Sequence, residues 1–494
     1  MITITNSKKA ELTNFWNHAV FHPTDAVEDT WGRRILDTAS EDRALRTVRV
    51  YTMFEDIVYL DEHDALCFDF RLNDLRLDYL LGAGYDLMLA YAFMPDCIAK
   101  NRNALSTVSK NPTRYKGKRI NTSVPTEESL WEEVCYQYTR HLVERYGEEN
   151  VASWRLQCFN EPDIPLFFLS DQRGENANRL EEYCKLYRAF ASGIRRASTH
   201  LRIGGPALAC DLGFLSGFLA DVKTHETQLD FVSFHCYGTS PSELRDGNGV
   251  SVQQVMEKLR RYDAVITASG FADVERILDE WGACSCGFCN REDNPELLFR
   301  ESEVFSSYYV KLLHCLMESE LPISKMMICL SGQHEMTEDF SGFRGFFTLN
   351  HIKKPIYNAF VLAAKLGGAL LEEEHDSDFI DVIPTRHPDG SYAVLLTYAS
   401  ERFGNLPKIR ETIRFPEDII GKHLRVYCID HTHTNPYTLF TENHMGSTLS
   451  QDEIRLLRSE GTLKPILDTT AESAEVGLSL SANAVILITA ENEE

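Results

Sequence analysis

Short apolar runs alternate with longer amphipathic segments over most of this chain, and that rhythm narrows the fold more than any other feature. The runs fall near residues 15–20, 48–52, 87–93, 153–159, 201–204, 231–236, 276–278 and 325–330. Helical segments follow them near 31–43, up to Leu81-Gly82, then 129–146, 180–197, 214–222, 252–268, 304–317 and 355–366. In the fourth, Leu180, Tyr183, Cys184, Tyr187, Phe190 and Ala191 recur at helical spacing. In the third, Thr126 is the expected N-cap and Gly147 the stop. Eight such units are the number that closes a parallel barrel, so the fold class is α/β, a (β/α)8 TIM barrel.

From about residue 370 the rhythm changes. Segments 378–383, 392–398, 411–415, 424–429 and 484–489 read as strands separated by turn signals such as Pro388-Asp-Gly390. They predict an antiparallel β-sandwich appended to the barrel, packed directly on it because no low-complexity linker intervenes. The expected division is a catalytic barrel over 16–369 and a sandwich over 370–494. A strand from residues 1–15, carrying Ile-Thr-Ile-Thr, is available to join the sandwich.

The 494 residues carry a net charge of −24 with no local Lys/Arg cluster against it, which argues against nucleic acid and against an anionic membrane surface. No stretch approaches the roughly 18–20 uninterrupted apolar residues of a membrane span, and the first ten residues hold no apolar run of the signal-peptide kind. Thirteen scattered cysteines, an odd number, fit buried free thiols in a reducing cytosol better than a disulfide framework. The expected location is the cytoplasm, and a homo-oligomer is compatible with the sequence.

In a parallel barrel the active site forms where the βα loops converge, at the C-terminal ends of the strands. Two glutamates stand there: Glu161 in Phe159-Asn160-Glu161-Pro162 after the fourth run, and Glu280 in Leu278-Asp279-Glu280-Trp281 after the seventh. Taken singly, either reads as a helix cap or a surface charge. Strands four and seven lie across the barrel mouth from each other, so together the two carboxyls flank one bound bond. Glycosidic cleavage requires that arrangement: one carboxyl protonates the leaving oxygen while the other attacks the anomeric carbon.

Longer motifs carry a resemblance. Val48-Arg49-Val50, Phe93-Met94-Pro95, Arg140-His-Leu-Val-Glu-Arg-Tyr-Gly147 with Trp154, Asn160-Glu161-Pro162, Ile203-Gly-Gly-Pro206, Asp230-Phe-Val-Ser-Phe-His235-Cys-Tyr237, Glu280-Trp281 and Gly342-Phe-Arg-Gly345 together make the chain similar to glycoside hydrolase family 39 over almost its whole length. That is the family of β-xylosidases and α-L-iduronidases. The resemblance implies Glu161 as acid/base, Glu280 as nucleophile, Asn160 as partner of the sugar 2-hydroxyl, His235 as a site wall, and Tyr237 as a hydrogen-bond donor to the nucleophile. The chain departs from the family pattern at Gln157, at Asp279 where a Thr is usual, at Tyr51 where a His is usual, and at Leu330-Ser-Gly-Gln-His-Glu335 in place of a Trp-containing run. Those positions line the sugar subsite, so sugar preference does not follow from the resemblance.

Trp281, Phe93, Tyr51, His334 and Glu335 complete the expected substrate-binding set, and Asp56 is a further candidate. The loop Cys284-Ser-Cys286-Gly-Phe-Cys289 offers three thiols, with His235, Cys236 or His334 as a fourth ligand, yet no second Cys pair accompanies it. The expectation is therefore no metal and no organic cofactor. The function expected is a retaining exo-glycosidase acting on an oligosaccharide or small glycoside, β-xylosidase first and α-L-arabinofuranosidase next. A non-catalytic carbohydrate-binding barrel is the reading of another class.

Overall fold

The computed structural model describes residues 1–22, 27–107, 119–172, 178–287, 289–330 and 336–492. Its centre is a closed barrel of parallel strands: β1 His18–Phe21, β2 Thr47–Tyr51, β3 Asp86–Tyr91, β4 Arg155–Cys158, β5 Ile203–Leu208, β6 Phe231–Thr239, β7 Glu275–Cys284 and β8 Ile323–Cys329. Each pairs with the next, and β8 closes on β1. The outer ring is α1 Thr30–Glu41, α2 Arg71–Gly82, α3 Glu128–Tyr146, α4 Arg179–Ala197, α5 Leu212–Thr224, α6 Val252–Ala268, α7 Glu303–Met317 and α8 Pro355–Ala363.

Local chemistry sets these elements. The Asn178 side chain caps α4 by accepting from the Glu181 amide, acids occupy its first turn, and Arg195 and Arg196 occupy its last, each favourable to the helix dipole. Gly147 ends α3 at φ 84, a left-handed value that glycine adopts without a Cβ clash. The N-cap of α3 is Glu127, without a side-chain cap bond, and not Thr126. The fifth strand runs to Leu208, and the seventh, read from sequence as three residues, has ten.

Inside the barrel, Val20, Met88, Phe231, Ile277, Met327 and Cys329 form a closed apolar plug. Above it the inward positions turn polar: Arg49 on β2, Gln157 on β4, Ser233 on β6 and Asp279 on β7, all buried. That polar layer is the floor of the site.

The remaining strands form one continuous nine-stranded sheet, in the order Pro465–Thr470, His423–Ile429, Ala484–Glu491, Tyr392–Tyr398, Ile380–Arg386, Ala369–Glu374, Ile2–Glu11, Ile409–Arg414, Glu475–Leu480. Ile2–Glu11 enters it, pairing antiparallel with Ala369–Glu374 and parallel with Ile409–Arg414, which makes the sheet mixed. Alternation divides the strands between two cores. Ile383, Leu395, Val485 and Leu487 pack into the barrel's cluster, while Val382, Val394, Ile486 and Ile488 form the sheet's own. Lys311 of α7 donates to Asp381 at 2.8 Å across this junction. Among the described residues no helix is long and apolar enough to cross a membrane.

Candidate active site

Glu161 follows β4 on a strained turn. Phe159 and Glu161 hold φ of 63° and 45°, left-handed values that cost non-glycine residues on the order of 1–3 kcal/mol each and concentrate at functional sites. The Glu161 amide donates to the Ala207 carbonyl at 3.0 Å, so β5 fixes the turn. Glu280 lies within β7. Along that strand the pairing to β6 runs Phe234 to Leu278 and then His235 to Glu280, a bulge that leaves Asp279 as the extra residue. Strict alternation would send Asp279 and Glu280 to opposite faces; the bulge lets both enter the barrel.

The two catalytic candidates meet over the polar floor. One carboxylate oxygen each of Glu161 and Glu280, with a ring nitrogen of His235, lie within 4.8 Å of one another. Nδ1 of His235 is 2.6 Å from Oε1 of Glu161 and 3.7 Å from Oε2 of Glu280. Glu280 accepts from Tyr237 Oη at 2.6 Å, from Arg49 Nη1 at 3.0 Å and from Tyr51 Oη at 3.2 Å. Arg49 Nη2 also donates to Asn160 Oδ1 at 2.8 Å, and Arg344 Nη1 to the Tyr237 hydroxyl at 3.5 Å.

These neighbours drive the two carboxyls apart in acidity. Burial opposes ionisation of Glu280, but His235, Arg49 and Arg344, together with the Tyr237 hydroxyl, outweigh it and bring the carboxyl down to about 2. At Glu161 burial prevails over the charge of His235 and the carboxyl stays above its usual range. Burial works against a charge on His235 as well, yet Glu280, Asp279 and Glu161 around the ring raise it well above an ordinary histidine. Glu161 is thus pushed toward its protonated form while Glu280 is held ionised, the direction of division that acid-plus-nucleophile chemistry uses.

Glu161, Glu280, Asn160, His235, Tyr237 and Tyr51 therefore come together as the sequence placed them. Phe93 stands one layer back: 1% exposed, its ring is 5.6 Å from Tyr51 and 5.9 Å from Phe167. His334 and Glu335 lie outside the described residues. Asp56 is held by Arg76 at 2.6 Å. Trp281 is a correction. Next after the bulge, its side chain leaves the barrel and stacks on Tyr309 of α7 at 5.8 Å, fully buried. Trp281→Ala should destabilise the fold by about 3–5 kcal/mol and leave sugar preference untouched, which thermal unfolding and Michaelis constants for two sugars will check. A raised KM without a lower Tm would return Trp281 to the site.

Arg49 received no role from sequence, and Gln157 and Asp279 only a place lining the sugar subsite, although an arginine inside the apolar run Thr47-Val-Arg-Val-Tyr51 is itself a signal: a charge at an inward register is buried only when paired. In the cysteine loop the reading of the cysteines as free thiols is corrected. Cys286 is bonded to Cys289, and Cys284 is a buried free thiol, so the three do not form a thiolate ligand set. Besides Glu161, His235 and Glu280, the other group of metal-capable donors among the described residues is Cys428, Asp430 and His433. There Asp430 Oδ1 already accepts from the His433 amide and ring and from Thr432.

The sequence model of glycosyl hydrolases family 39 matches residues 1–477. The chain belongs to this family. It is a glycoside hydrolase, and its barrel and second sheet are the architecture of family 39 enzymes. A β-xylosidase of Caldicellulosiruptor saccharolyticus is 25% identical to it over 490 residues, 94% of this chain and 92% of that protein. A β-xylosidase of Geobacillus stearothermophilus is 25% identical over 342 residues, 67% of this chain and 61% of that protein. Among solved structures, a monomeric β-xylosidase from Caulobacter crescentus CB15 superposes with a TM-score of 0.83 at 21% identity, over 100% of this chain and 99% of that one. At that identity the likeness establishes the fold.

Proposed function

We propose that this family 39 glycosidase removes terminal β-xylosyl residues by double displacement, with Glu161 as acid/base and Glu280 as nucleophile. The observation that carries the reading is the approach of their carboxylate oxygens to within 4.8 Å. Retaining enzymes hold their carboxyls about 5–5.5 Å apart, whereas inverting enzymes leave roughly 6.5–9.5 Å for a water. Glu280 attacks the anomeric carbon while Glu161 delivers its proton to the departing oxygen. Glu161 then takes a proton from the water that opens the glycosyl ester. Arg49 occupies the Asn160 carbonyl, which leaves the Asn160 amide to donate to the sugar 2-hydroxyl. No step needs a metal or an organic cofactor. The choice of xylose is supported by the names of the two relatives, and a reducing compartment by eleven unpaired cysteines against one disulfide.

A panel of nitrophenyl glycosides spanning pentoses, hexoses and uronic acids, with the product anomer read by NMR, tests this. The β-xyloside should lead by roughly tenfold or more, with retained configuration. The pH dependence of kcat/KM should fall on the acid side only as Glu280 protonates near 2, and on the basic side as Glu161 ionises above 4.5. An inverted product would remove the mechanism, a faster arabinoside would change the sugar, and no turnover on any glycoside would return the barrel to a binding role.

A further inference from the structure

Asp279 is a fully buried carboxylate of the barrel floor that the double displacement leaves without a task. Its side chain is wholly shielded from solvent, as is that of Arg49 beside it. It reaches the interior only because the β7 bulge turns it there alongside Glu280. Oδ1 has no hydrogen-bond partner among the described residues, so compensation for burying the charge rests on Oδ2. Three groups from three strands converge on that atom: Gln157 Nε2 of β4 at 2.6 Å, Arg49 Nε of β2 at 3.3 Å and His235 Nε2 of β6 at 3.6 Å.

The two nitrogens of His235 are thereby divided. Nδ1 faces Glu161 at 2.6 Å and Glu280 at 3.7 Å; Nε2 faces Asp279 and has no hydrogen-bond partner among the described residues. A carboxylate on one side of an imidazole fixes the proton on that side, which decides what the other nitrogen does. Arg49 is divided in the same way, its Nε toward Asp279 and Gln157 and its two terminal nitrogens toward Glu280 and Asn160.

Resting on the acid/base and nucleophile reading above, we propose that Asp279 is a positioning residue: the fixed anion that keeps a proton on Nε2 of His235, leaving Nδ1 to exchange hydrogen bonds with Glu161, and that seats Arg49 against Glu280. When Glu161 and His235 share a single proton and it sits on Glu161, the ring, still protonated on Nε2, accepts from it through Nδ1. When Glu161 is ionised, the doubly protonated ring donates to it. The alternative tautomer would place two donors between His235 Nδ1 and a protonated Glu161 and turn a bare nitrogen toward the Asp279 charge. The charges facing the ring are Glu161 beyond β4, Glu280 and Asp279 on β7, and Arg49 on β2 through its shared contact with Asp279.

The test is a ring-nitrogen NMR titration of His235 in the wild-type enzyme and in Asp279→Asn, paired with kcat and KM on an aryl xyloside. In the wild type the midpoint should lie above the ordinary value of about 6.5, with the neutral form protonated on Nε2. A midpoint at or below 6.5, or a neutral form protonated on Nδ1, overturns the proposal even if the variant never folds. In folded Asp279→Asn the midpoint should drop by at least about one pH unit, because a cation has lost an anion, and kcat should fall roughly 10- to 100-fold with KM within about twofold. A purely structural role would lower Tm without moving the titration, and that result, or an unchanged kcat, also overturns it. The titration uses no substrate, so it stands apart from the function reading, which fails separately if the wild type cleaves no glycoside.

Discussion

Glu280→Ala will lose at least about 10^4-fold in kcat on a nitrophenyl xyloside, since removing a covalent nucleophile disables the step rather than weakening it. The alanine leaves a small vacancy opposite the anomeric carbon, bordered by Tyr237, Arg49 and Tyr51, which all donate to the native carboxylate. A small anion fits that vacancy and those donors. Azide should therefore restore part of the rate and yield a glycosyl azide of inverted configuration, because one displacement replaces two. The variant also leaves Arg49 with one anionic partner fewer in a buried place, so a few kcal/mol of stability will go with it. Thermal unfolding must accompany the kinetics. Activity within tenfold of wild type in a folded Glu280→Ala, or an azide product of retained configuration, would remove Glu280 as nucleophile.

The barrel was legible because its units repeat a pattern with a physical cause: strands buried on both faces are continuous apolar runs, and helices with one buried side repeat every three to four residues. The legibility failed where other forces set the pattern. β7 read short because Asp279-Glu280 interrupts the apolar run, and nothing in sequence announces a bulge that turns two successive acids inward. Trp281 was assigned to the site by adjacency, which does not tell a reader which face a side chain takes. Pro465–Thr470 escaped notice because every residue of that edge strand is exposed, so burial imposes no alternation on it. Counting cysteines over the whole chain hid the Cys286–Cys289 bond, a matter of local closure with Cα atoms 5.5 Å apart. The two glutamates stand out in the sequence because each follows an apolar strand run, although Glu280 lies within β7 and not at its end. Arg49, Gln157 and Asp279, the polar floor of the site, meet through contacts between strands far apart in sequence.

Glu161→Ala should separate substrates by their leaving groups. Loss of a general acid typically forfeits about 10^2–10^4-fold, and the full loss falls on xylobiose, whose sugar oxygen departs only with a proton. A dinitrophenyl xyloside departs as a stable phenolate, so its first displacement should proceed at nearly the native rate. The second step then lacks the base that activates water, because the same carboxyl serves both halves of the cycle. A glycosyl-enzyme ester on Glu280 should therefore accumulate, seen as a burst of about one equivalent of phenolate followed by slow turnover. Azide, which needs no base, should discharge that ester and give a glycosyl azide of retained configuration, the opposite of the Glu280→Ala product. The basic limb of the pH profile should vanish with the group that produces it, since the Glu161 carboxyl, held above its usual range by burial, is what ionises there. Equal losses on xylobiose and the dinitrophenyl substrate, or a basic limb that survives the substitution, would show that the proton comes from another group and would leave His235 as the residue to examine.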